Sequence, residues 1–179
     1  MEAMVVTEWS VDKAHSEVQF KTKHLVISTV TGRFNEFDAG LEMEGEGLEN
    51  ARAWFTADVN SISTNNADRD AHLKSADFFD AEKYPGIEFK STGFEHVADD
   101  QYSMKGDLTI RDVTKEVTLD VEYGGTMVDP YGNTKAGFEI TGKINRHDFG
   151  LKWSAVTEAG GLVVGDEIKL ALNIQMTKK

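Results

Sequence analysis

The sequence predicts an all-β protein closed as an antiparallel barrel. Three observations carry this: apolar and polar residues alternate with period two in nine segments, a single stretch reads as helix, and the last strand is long. Period-two alternation gives a sheet one dry and one wet face, because successive side chains point to opposite sides. A strand of about ten residues is ~33 Å long and, tilted by ~40°, spans ~25 Å of barrel height, which favours a barrel over a sandwich.

The elements follow in chain order. A weak alternation runs over Val5–Val11; then Val18, Phe20, Thr22 and His24 alternate with Glu17, Gln19, Lys21 and Lys23. Phe34 and Phe37 are three apart, so the apolar parity switches between them and a β-bulge is expected near Asn35-Glu36. Weaker alternation marks Phe37–Met43, Ala53–Val59, Ile87–Ser91, Tyr102–Ile110 and Ala136–Ile144, and a stronger one Val117, Leu119, Val121 and Tyr123. The last strand presents Val164, Ile168, Leu170, Leu172, Ile174 and Met176 on one face, with Asp166 as its intruder. Turn residues separate these runs at Glu44-Gly45-Glu46-Gly47, Asp99-Asp100 and Asp129-Pro130-Tyr131-Gly132-Asn133. The helical stretch is Ala67–Lys74, with Asn65 as N-cap and Asp68 in the first turn; the excursion, near residues 66–80, stops before Pro85.

Composition narrows the function. With 179 residues and 40% hydrophobic content the chain fits one domain, residues 1–179. Nineteen Lys and Arg against 31 Asp and Glu give a net charge of −12, a field that repels phosphate backbones and anionic membrane surfaces, so nucleic acid is not an expected partner. The absence of cysteine removes disulfides, thiolate zinc sites and cysteine nucleophiles. No run approaches the ~20 apolar residues of a transmembrane helix. The first residues read neither as an n-region nor as an h-region, so the expected location is cytoplasmic.

The inward stripes carry small residues, Ala39, Ala53, Ala57, Gly106, Ala136 and Gly142, which favour a hollow barrel over one whose small residues fit the taper of a filled core. The five histidines, His15, His24, His72, His96 and His147, show no i, i+4 pairing around a glutamate, so no metal is expected. Gly160-Gly161 with Gly165 lacks the Lys-Ser/Thr of a phosphate loop; Ser154, Thr157 and Glu158 form no nucleophile elbow.

Five stretches in order resemble one family. Asp12–Phe20 with His24 and Gly32-Arg33-Phe34, then Arg69–Asp80 with Tyr84–Phe89, Gly106–Ile110, Asn145–Leu151 and Val164–Ile168 are similar to the signatures of the YceI-like, polyisoprenoid-binding proteins, over about Trp9 to Met176. The resemblance implies a lipocalin-like, extended eight-stranded antiparallel barrel with a helix-bearing excursion, holding an isoprenoid chain such as a polyprenol or a quinone tail. Many such relatives are exported to the periplasm. The expected function is therefore non-enzymatic binding, carriage or sequestration of a long apolar lipid, with no cofactor and with homodimerisation left open.

Candidate ligand-binding residues by inward parity are Phe20, Phe55, Phe89, Leu108, Leu119, Phe138, Ile140, Leu170 and Leu172, with His24 on the same stripe as Phe20. Arg69, Asp70 and His72 form a candidate grip for a polar head group, or else a structural tie between helix and rim. Phe78 is read either as a cap on the cavity or as the anchor of the helix, and so is Phe79. Two rivals stay open: an enzyme acting on an apolar molecule with His24 or His72 as general base, and a ligand-free, stress-associated filled barrel.

Overall fold

The computed structural model describes residues 5–25, 27–45, 47–153 and 164–179. Among the described residues the strands are β1 (Val6–Val11), β2 (Glu17–His24), β3 (Ser28–Phe34), β4 (Phe37–Glu44), β5 (Arg52–Asp58), β6 (Ile62–Ser63), β7 (Gly86–Ala98), β8 (Gln101–Ile110), β9 (Val113–Val128), β10 (Thr134–Asn145) and β11 (Glu167–Lys178), with one α-helix, α1 (Ala67–Lys74), between β6 and β7. All pairings are antiparallel, and the order β1-β4-β5-β7-β8-β9-β10-β11 closes through β11 onto β1, giving an eight-stranded barrel.

The remaining strands, β2, β3 and β6, extend an arm from β11. β11 is shared lengthwise: Met176–Lys178 pair with β1, and Lys169–Asn173 pair with β2. Between β1 and β2 the chain makes a 3-10 turn at Lys13–His15, pinned where Ser16 Oγ donates to Asp12 O (2.7 Å) and accepts from Gln175 N (2.9 Å). The neighbouring track breaks at Asn35-Glu36, where both flanking residues, Phe34 and Phe37, are buried as the parity switch requires. The third breaks at Val59–Ser61. Three adjacent breaks let this half of the sheet depart from β7, and residues 64–85 fill the interval: Val59 N donates to Pro85 O, and Phe79 packs edge-on against Phe34 at 6.2 Å.

Alternating chain direction sorts the connections. The β4–β5, β7–β8 and β9–β10 turns, Val5 and Lys179 lie at what we call the hairpin end; the β2–β3 turn, α1, the β8–β9 turn and residues 146–153 and 164–166, which flank β10 and β11, lie at the helix end. Trp9, Met43, Leu48, Tyr102 and Met176 are buried toward the hairpin end.

Several sequence expectations change in detail. The helix bounds are as expected, but the N-cap is Asn66, whose side chain accepts from Arg69 N; Asn65 instead takes a left-handed backbone (φ 61°). β7 and β9 run well beyond the segments seen by alternation, because their outer ends are largely exposed and held by backbone ladder bonds that leave no hydrophobic signature. Val164 precedes β11 and forms an isolated bridge with His24. Glu46, from one expected turn, lies outside the described residues.

Candidate functional site

An apolar cavity of about 210 Å³ occupies the barrel interior. At ~10–15 Å³ for each water-sized sphere, it holds about 14–21 such groups. Its wall is contributed by every strand of the closed barrel except β1, by β2 and β3, and by Leu73, Phe78 and Phe79 of the helical excursion. The inward face of β11 supplies Ile168, Leu170, Leu172, Ile174 and Met176, and the facing side supplies Phe55, Ile87, Phe89 and Leu108. Alternation positions each of these, since the intervening residues Lys90, Asp107, Lys169 and Asn173 are exposed.

Of the expected ligand-binding residues, Phe20, Phe55, Phe78, Phe89, Leu108, Leu119, Phe138, Ile140, Leu170 and Leu172 line this cavity. The small inward residues divide into three groups, one of them Ala136 alone, which is buried but not part of the cavity wall. Ala39, Ala53 and Ala57 are in the wall, whereas a Cβ at Gly106 would overlap the Phe89 ring and one at Gly142 would overlap Leu119 Cδ2. Those two glycines therefore seat a neighbouring side chain and leave no open space above themselves. Gly32 does the same for the Phe20 ring across the β2–β3 pair.

Arg69, Asp70 and His72 are engaged within the excursion. Arg69 donates through Nε to Thr64 Oγ1 (2.8 Å) and through Nη2 to Thr64 O (2.7 Å); Asp70 Oδ1 accepts from Thr64 N (2.8 Å) and Thr64 Oγ1 (2.6 Å). Thr64 is itself buried, so these bonds tie the start of α1 to the end of β6. His72 Nε2 lies 2.9 Å from Asp77 Oδ2, and its ring meets Phe78 at 5.1 Å and Trp153 at 4.6 Å, both edge-on. His24 is half-buried at the end of β2. His15 and His147 fix turns, at 2.9 Å from Asp12 and 2.7 Å from Asp166. Among the described residues no cluster of side chains suits a metal ion. Ser154, Thr157, Glu158, Gly160 and Gly161 lie outside the described residues.

The residue that sequence reasoning missed is Arg146, which follows β10 and is 2% exposed. Its Nε donates to Gly165 O (2.9 Å), Nη1 to Leu151 O and Trp153 O (both 2.6 Å), and Nη2 to Val164 O (3.4 Å), with Asp166 at 3.8 Å. Burial pushes the guanidinium pKa below its ordinary value, and the Asp166 carboxylate acts in the opposite direction. One buried fork thus binds the two sides of the β10–β11 connection over the helix end of the cavity. The only advance signal was an arginine inside the Asn145–Leu151 motif, where a polar run reads as an exposed rim.

The model of the YceI-like domain family matches residues 9–176. The chain belongs to the YceI-like family. A UPF0312 protein of Staphylococcus aureus strain N315 is 35% identical over 173 residues, covering 96% of this chain and 98% of the relative. Among solved structures, the YceI protein of Campylobacter jejuni is 34% identical with a TM-score of 0.75, over 88% of this chain and 90% of that one. A polyisoprenoid-binding domain from Saccharophagus degradans, implicated in plant cell wall breakdown, superposes with a TM-score of 0.70 at 16% identity, over 96% of this chain and 98% of that one, a likeness of fold.

Proposed function

We propose that this YceI-like barrel binds a long isoprenoid chain in its interior and carries or sequesters it without chemical change. The observation that carries the reading is the composition of the cavity wall. None of its described residues is a carboxylate, histidine, serine or lysine, and its one charged group, Arg146, is directed to backbone carbonyls. Such a wall offers no acid–base pair for catalysis and no unengaged cation for a diphosphate. It suits a chain of methylene and methyl groups. Each buried methylene contributes ~0.8 kcal/mol, so a dozen supply about 10 kcal/mol before the cost of ordering the tail. Family membership and the polyisoprenoid-binding neighbour support the same reading.

Titration with prenols of increasing length tests this. Affinity should rise with each isoprene unit until the cavity is full and then level off. Equal affinity for short and long prenols would sink the proposal.

A further inference from the structure

The β2–β3 turn is built from residues that turns avoid. Its tip reads Leu25-Val26-Ile27, where Gly, Asn, Asp or Ser would suit the geometry. Leu25 adopts a left-handed backbone with φ 54°, a conformation that costs energy for a branched side chain. Ile27 is 86% exposed and Leu25 39%. Ile27, beside the cavity at the helix end, packs little of its side chain against the barrel.

The outer face beneath this tip has a second anomaly. Lys21 stands directly opposite Lys169, and Lys169 directly opposite Lys143, so three exposed lysines form one row across β2, β11 and β10. Strands lie ~4.8 Å apart, and like charges facing each other at that spacing are destabilising. Lys23, two residues nearer the tip, and Arg33 on β3 share this exposed face; its carboxylates toward the helix end are Glu167 and, beside Lys143, Glu116 and Asp148, with Lys115 next to them. The acidic residues Glu17 and Glu139 lie four residues farther toward the hairpin end, on the row through Asn173. A chain of net charge −12 therefore gathers cations next to its exposed apolar tip.

We propose that the β2–β3 tip and the Lys21–Lys169–Lys143 row dock the barrel, helix end first, onto an anionic lipid bilayer. Ile27 and Leu25 enter the boundary between headgroups and acyl chains while the lysines contact the headgroups, the pairing of apolar and basic groups that interfacial anchors use. Charge complementarity selects this occupant: the sequence-wide expectation of repulsion from anionic membranes follows from the sum of charges, whereas docking depends on the face presented. The inference rests on the lipid-carrier reading and adds to it the surface from which the barrel takes or delivers its ligand.

Flotation of the whole protein with phosphatidylcholine vesicles, with and without phosphatidylglycerol, tests this at low and high salt. Binding should require phosphatidylglycerol and weaken with salt. Ile27→Asp should lower partition about tenfold, and Lys21→Glu with Lys169→Glu by at least about twentyfold, from about fivefold per lysine lost. Circular dichroism and thermal melting establish that the variants fold. Retention of a prenol delivered from solvent without vesicles should stay unchanged in all of them. Prenol retention without any phosphatidylglycerol-dependent flotation would overturn docking and leave the carrier reading standing; flotation without prenol retention would do the reverse. A concentration-dependent dimer abolished by Ile27→Asp would assign the tip to a second copy of the chain and overturn the proposal.

Discussion

Ala57→Phe places an aromatic ring in the cavity wall at a position whose neighbours across the sheet are Phe37 and Ile87. Relative to alanine the ring adds about six carbons, which take the space of about six ligand carbons; at ~0.8 kcal/mol each, binding weakens by about 5 kcal/mol, on the order of a thousandfold. Folding of the empty protein should be little changed, because the ring enters space the protein leaves open. Gly142→Phe is the contrasting substitution. Leu119 already covers Gly142, so a ring there overpacks the wall and costs ~1–3 kcal/mol. At ~2–4 °C per kcal/mol for a domain of this size, its melting temperature should fall by about 2–12 °C. Thr56→Phe, on the outer face, controls for added bulk. The assay pairs a prenol dissociation constant with a melting curve of lipid-stripped protein. If Ala57→Phe binds as tightly as the parent at equal stability, the cavity is not where the ligand sits.

Arg146→Met should be among the most destabilising single changes, by about 3–5 kcal/mol, since it leaves the buried carbonyl of Leu151 and the half-buried carbonyls of Trp153 and Gly165 without donors; thermal unfolding reads it directly. Asp70→Ala should strip Thr64 N of its acceptor, cost about 1–3 kcal/mol, and speed proteolysis within residues 64–85 ahead of the barrel. Hydrogen bonds from His15 and Lys135 hold the Asp12 pKa below its ordinary value. The bonded carboxylate therefore contributes stability present above the unfolded value, about 3.9, and lost as pH falls through the lower folded one. Lys135→Met should cost about 1 kcal/mol at neutral pH in denaturant melts and progressively nothing below about pH 4. A penalty that stays constant into acid would contradict the assigned pair.

The longer strands were legible in the sequence wherever one face is buried and the other wet, as in Val18 to Thr22 of the arm or Leu170 to Met176 of the closed barrel. β3 and β6 were not. β3 offers Val30, Gly32 and Phe34 inward, and the glycine interrupts the stripe because its place is taken by the Phe20 ring; β6 has two residues. Parity gave most of the cavity wall, but it cannot say which neighbour leans over a small residue, so Gly106 and Gly142 were read as open space. Arg69 and His72 were offered to a head group because charge in a motif has no direction in sequence; in the fold both turn to partners within the excursion. The Arg146 fork needs Leu151, Trp153 and Gly165 brought together, a convergence that no local pattern announces. The lysine row is likewise created by register across strands far apart in the chain.

Whether the barrel holds an isoprenoid is decided by mass spectrometry of the organic extract of the purified protein, set beside the same extract from Ala57→Phe. If the barrel carries lipid, an isoprenoid species is recovered near one per barrel from the parent and is sharply depleted in the variant. Parent protein recovered free of lipid, and unable to take up a long prenol when one is supplied, would contradict the carrier reading.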